Sequence, residues 1–181
     1  VPAGRWDAVT AAAIIPAEAG RHQASYGNFA ATTHAHDAQV FGTSPMEASS
    51  SDPSQLALLT TAYVAPHGSG NPRAALSGRV VAMALGMGGS SGQAGGSSIG
   101  APQSEPRATA NVFAATGGAL SIAAGRLSFS LEPTGSCLTI DTACSSTLAA
   151  LHAAVSGLRL GECAGGAACG VGLLLDAGLF A

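Results

Sequence analysis

Between residues 137 and 175 the chain reads as strand, helix, strand, and this order limits the folds open to it. Residues 137–141 (CLTID) form a short strand-like run. Residues 145–160 follow helical spacing. Leu148, Leu151, Val155 and Leu158 stand at i, i+3, i+7 and i+10, and Gly161 takes the C′ position. Residues 167–175 are an apolar run of strand length. Strand, helix and strand at this spacing predict an α/β fold with parallel strands.

The rest of the chain supplies further elements. Asp52 suits a helix cap and Pro53 a first helical position, with Leu56, Leu59 and Tyr63 on one face and Pro66 and Gly68 as the stop. Residues 79–87 (RVVAMALGM) read as a buried strand, with helix as the alternative because Ala and Met are good helix formers. A Gly/Ser-rich loop is expected at about 88–108. It contains no GxGxxG and no GK[ST], so a phosphate-binding reading has little to rest on. Residues 109–127 read as a helix weakened by Gly117 and Gly118, residues 129–131 as the start of a short strand, and residues 132–135 as a turn. Residues 1–50 carry few periodic signals. Ordered loops are expected around Arg5, Trp6 and Asp7, at Gly27 and Asn28, and over residues 41–45.

Composition removes several classes of function. The chain has 181 residues, enough for one domain or part of one. Charged residues are only 9%, against about 25% in ordinary domains, so association with further protein surface is expected. Net charge is −3, there is no lysine, and the seven arginines are scattered, which argues against nucleic acid as a partner. No apolar run reaches the roughly 20 residues of a membrane span, and no basic leader or signal-like segment is visible. Cys137, Cys144, Cys163 and Cys169 do not form a disulfide-type pattern, so reduced thiols and a cytoplasmic location are expected. His34, His36 and Asp37 are potential metal ligands, but HxH on a loop is a weak signal and no metal is expected.

Cys144 lies where the strand over 137–141 meets the following helix, among the small residues Ala143, Ser145 and Ser146. The N–H groups and partial positive charge of a helix N-terminus favour an anion there. A cysteine so placed suits acyl transfer, with turn N–H groups available to an oxyanion. A small buried filler is the competing reading, and spacing leaves both open. Cys137, Cys163 and Cys169 are expected to be buried fillers, and Arg126 a structural hydrogen-bonder.

The segment Asp141, Thr142, Ala143, Cys144, Ser145, Ser146, followed by Leu148, Leu151 and His152, resembles the active-site motif of β-ketoacyl synthases, in particular the ketosynthase domains of modular polyketide synthases. Collinear segments extend the resemblance. They are Val1 and Pro2 with Arg5, Trp6 and Asp7; FGTSPMEA over 41–48 with Asp52, Pro53 and Gln55; Thr116 and Gly117 with SIAAGRLS over 121–128; and Leu158, Arg159, Gly161, Glu162, Cys163, Gly170 and Val171.

The resemblance implies a thiolase-like fold, layered αβαβα and built from two related halves, of which residues 1–181 are the N-terminal portion. It implies that Cys144 is the nucleophile. Acyl and malonyl-type thioesters would be its substrates, carried on the phosphopantetheine arm of an acyl carrier protein, with no bound cofactor. A decarboxylative Claisen condensation in polyketide or fatty acid biosynthesis would follow, in a homodimer. The family's two catalytic histidines and its lysine have no counterpart here, and His152 occupies a structural position. An isolated 1–181 chain is therefore expected to be inactive in condensation. The sequence departs from the family at Ser51, Ser54 and Leu56, at Pro66, at Gly118 and at Gly172. A noncatalytic ketosynthase-like fragment, scaffold or partner subunit is the alternative.

Overall fold

A computed structural model of the chain describes residues 36–88 and 112–173. The segments around Trp6 and Asn28, His34, the loop after Gly88 and residues 174–175 lie outside the described residues. The elements run α1 (Pro45–Ser50), α2 (Pro53–Gly68), α3 (Arg73–Leu76), β1 (Val81–Met87), α4 (Val112–Gly117), α5 (Leu120–Leu131), β2 (Cys137–Ile140), a 3-10 turn (Ala143–Ser145), α6 (Ser146–Arg159) and β3 (Gly165–Val171). The three strands form one parallel sheet in the order β2-β1-β3.

The central strand explains the layering. All seven residues of β1 are buried, as expected where a parallel sheet is covered on both faces. Side chains alternate across a strand, and here large alternates with small. Val81, Met83, Leu85 and Met87 point to a core with Leu58, Leu59 and Ala62 of α2 and Ala123, Ala124, Leu127 and Leu131 of α5. Each large side chain buried there contributes about 1.5–3 kcal/mol. The other face carries Ala84 and Gly86, and α6 sits on it through Ala150 and Ala154. Strand β3 repeats the arrangement. Ala167, Cys169 and Val171 join the large core, while Gly166, Ala168 and Gly170 meet α6. The alanine and glycine richness therefore lets one helix approach the sheet closely.

Several local expectations hold. Asp52 caps α2 by accepting from the Ser54 N–H at 2.7 Å, and Gly161 follows α6 with φ +72°. Others need correction. Residues 129–131 are the last turn of α5, because the helix continues until Glu132 adopts a left-handed cap. The buried face of α2 centres on Gln55, Leu58, Leu59 and Ala62, while Leu56 and Tyr63 are half-buried. Strand β3 begins at Gly165 and is only half-buried. In α6 the leucine stripe is the outward side. Leu148 is 69% exposed and Leu151 48%, whereas Leu158, though also exposed, reaches the sheet at Gly166. A helix with small residues towards one layer and leucines on its other side is built to be covered on both. In the isolated 181-residue chain, Leu148→Glu with Leu151→Glu is expected to shift the molecule towards smaller species in analytical ultracentrifugation.

Arg126 ties α5 to the first two helices. Its side chain is 9% exposed, its Nε donates to Gln55 Oε1 at 3.1 Å, and it pairs with Glu47. A row of rings lies on the same side of the sheet, where His36 stacks on Phe41, Phe41 meets Tyr63 edge-on, and Tyr63 touches His67. His36 Nδ1 is buried without a hydrogen-bond partner among the described residues. Desolvation, then the Arg126 charge, holds its pKa below the usual histidine value, against the opposing pull of Asp37 and Glu47. The unfolded chain thus binds this proton more readily than the folded one, so the contribution is complete above about pH 6.5 and is lost as pH falls below it. His36→Phe is expected to lessen the fall in melting temperature between pH 7.5 and pH 5.5.

Candidate active site

Residues 141–145 form an exposed turn between the C-terminal end of β2 and the start of α6, the end of a parallel sheet at which ligands ordinarily bind. Cys144 is the middle residue of the 3-10 turn and is solvent-exposed. Its Sγ makes no hydrogen bond among the described residues. A residue at a helix start has no intrahelical acceptor for its N–H, and among the described residues no bond from the Cys144 N–H crosses the turn.

Short polar side chains hold this turn. Asp141 Oδ1 accepts from the Ala143 N–H at 3.0 Å. Ser145 Oγ donates to the Thr142 carbonyl at 2.8 Å. Ser146 Oγ accepts from the Thr142 N–H at 2.9 Å and donates to the Ala143 carbonyl at 2.7 Å. Ala143 has φ +54°, a left-handed conformation that costs a non-glycine residue about 1–2 kcal/mol. The start of α6 also rests on the sheet. A β-carbon at Gly86 would overlap the Ser146–Thr147 backbone, and one at Gly170 would overlap the Thr147 side chain. Gly86 and Gly170 are register partners on β1 and β3, so the sheet offers a bare patch where the helix lands.

The remaining candidates lie apart from this turn. His36 and His67 belong to the ring row on the α2 side of the sheet. His152 is exposed on α6, 3.5 Å from Ser156 Oγ. Cys163 is buried, as expected for a filler, and Cys169 is half-buried with its thiol pushed up by burial. Cys137 is instead exposed, because β2 carries a neighbour on one side only among the described residues. No group of three or more His, Cys, Asp or Glu gathers as a metal site among the described residues. No helix there is long and apolar enough to cross a membrane. Sequence reasoning counted Ser146 among the small residues of the turn but missed its paired hydroxyl bonds, and it missed Gly86 as the seat of the turn on β1. The available signal was a glycine inside an apolar strand, which marks close approach of another backbone.

A cysteine on a tight strand-to-helix turn, seated on a parallel sheet with helices on both faces, defines an α/β domain with a nucleophile-elbow arrangement. The family model for the β-ketoacyl synthase N-terminal domain matches residues 1–181, and the chain belongs to that family. Its fold is the N-terminal half of the thiolase-like fold. A component of the phenolphthiocerol/phthiocerol polyketide synthase of Mycobacterium tuberculosis is 36% identical over 162 residues, covering 90% of this chain and 10% of that protein. The pikromycin polyketide synthase component PikAIII of Streptomyces venezuelae is 38% identical over 168 residues, covering 91% and 10%. Among solved structures, the oxazolomycin ketosynthase domain OzmH KS7 of Streptomyces albus JA3453 matches with a TM-score of 0.79 and 27% identity, over 99% of this chain and 30% of that one. The chain thus spans about a tenth of these curated relatives and under a third of that solved ketosynthase.

Proposed function

We propose that this chain is the cysteine-bearing part of a polyketide-type ketosynthase and that Cys144 accepts the acyl group. The Cys144 sulfur attacks the carbonyl carbon of an acyl thioester. A new carbon–sulfur bond forms, and the carrier's pantetheine thiolate leaves and takes a proton. The Cys144 N–H is one donor to the tetrahedral oxyanion. A malonyl-type thioester then loses CO2, its carbanion attacks the Cys-bound carbonyl, and the Cys144 thiolate is expelled. An acyl carrier protein delivers both thioesters. The observation that carries this reading is the exposed Cys144 on its fixed turn, in the segment whose sequence resembles the family's active-site motif.

The groups that assist decarboxylation are assigned to the rest of such a domain. His36 and His67 lie on the far side of the sheet, and the chain covers under a third of the solved ketosynthase it matches. The outward leucines of α6 are the surface that the same remainder covers, and the working domain is a homodimer. The test supplies an acyl thioester and malonyl-loaded carrier protein to the full-length chain. A β-ketoacyl product two carbons longer is expected. Acyl transfer without any elongated product would instead support the noncatalytic alternative.

A further inference from the structure

We infer that Ser146 is a positioning residue for Cys144, its hydroxyl clamping the turn that presents the nucleophile; the inference rests on the acyl-acceptor reading above. Ser146 is 5% exposed, although residues 141–145 before it are all exposed. A serine buried at the edge of an open turn calls for a reason, and its bonds supply one. The hydroxyl accepts from the Thr142 N–H at 2.9 Å and donates to the Ala143 carbonyl at 2.7 Å. It therefore spans the backbone before Cys144 from inside the turn. Those two residues set the direction in which the chain enters Cys144.

The need for a clamp follows from the strain. Ala143 holds φ +54°, and an alanine left to itself would relax out of that region. Asp141 Oδ1 on the Ala143 N–H is a second restraint, but Asp141 is exposed and its bond is open to competition from water. Ser146 is itself fixed, because its carbonyl carbon and the Thr147 nitrogen lie directly over Gly86. The clamp thus connects the sheet, through the helix start, to the strained residue beside the nucleophile. With no side-chain bond to hold Cys144 among the described residues, its placement comes from the backbone alone.

The test uses the full-length chain and an acyl thioester of N-acetylcysteamine, with mass spectrometry of the Cys144 peptide as the readout. Attack by the Cys144 thiolate forms the new thioester and releases N-acetylcysteamine, which takes up the proton. Ser146→Ala is expected to lower the maximal acylation rate by about 10- to 100-fold, the range for a misplaced reacting group. The half-saturating thioester concentration should stay within about twofold, because binding contacts are not touched. Adding Ala143→Gly, which takes the left-handed conformation without strain, should restore part of the lost rate. A folded Ser146→Ala protein that acylates at the wild-type rate overturns the inference and leaves the acyl-acceptor reading standing. If Cys144 of the wild-type chain takes no acyl group, both readings fall together. Should Ser146→Ala not fold, Ser146→Thr replaces it: a rate within about threefold of wild type supports the clamp. A folded threonine variant slowed as far as expected for alanine contradicts it.

Discussion

Gly86→Ala is expected to destabilise the folded full-length chain by about 3 kcal/mol or more, at or beyond the upper end of ordinary overpacking. The added methyl would occupy space held by the Ser146 carbonyl carbon and the Thr147 nitrogen and α-carbon. These are backbone atoms of a helix start, which cannot swing aside as the end of a side chain can. Either α6 lifts from the sheet or β1 bends, and in both cases the small-residue packing of Ala84, Ala150 and Ala154 is lost. Gly125→Ala is the matching control. Gly125 lies inside α5, is exposed, and has open space where a β-carbon would stand. Alanine there should be neutral or stabilising by up to about 1 kcal/mol, from helix propensity. Urea midpoints of the two variants against wild type check both signs. Because the turn holding Cys144 is seated on Gly86, the Gly86 variant should also lose acylation, whereas the Gly125 variant should keep it.

If Cys144 is the acyl acceptor proposed above, Cys144→Ala is expected to reduce condensation by at least about 10³-fold while leaving the fold intact, since the proposed covalent intermediate forms on its sulfur. Cys144 is exposed, so the truncation opens no cavity and the melting temperature should change little. Product formation from an acyl thioester and malonyl-loaded carrier protein measures the first effect, and thermal unfolding the second. Full condensation by a folded Cys144→Ala protein would remove Cys144 from the reaction.

The strand–helix–strand order, the parallel pairing and the place of Cys144 were legible because they follow from local signals. The caps at Asp52 and Gly161 and the short apolar runs on either side of a helical period are examples. The direction in which α6 faces was not legible. Period alone marks a leucine face, and the natural inference sends leucines towards the sheet. The structure sends Ala150 and Ala154 there instead, where Gly86, Gly166 and Gly170 let the helix approach the sheet closely. The exposed leucines are intelligible once the chain is seen as part of a larger layered fold. Residues 129–131 were misread for a related reason. Phe129 is 84% exposed at the end of α5, and an apolar residue on an exposed helix turn resembles a strand start when only three residues are considered. The turn itself was half legible. Its position came from the junction of the strand and helix patterns, but the Ser146 bonds depend on a positive φ at Ala143, a value alanine rarely takes and no propensity announces.

Mapping the acyl group among the four cysteines is the most direct measurement of whether Cys144 is the acyl acceptor. The full-length chain is incubated with an acyl thioester of N-acetylcysteamine, digested, and the mass of each cysteine peptide recorded over time. Cys144 should carry the acyl group well before Cys137, the other exposed thiol, while buried Cys163 and half-buried Cys169 stay unmodified. Equal acylation of Cys137 and Cys144 would mean that exposure alone governs the reaction, and would contradict the account.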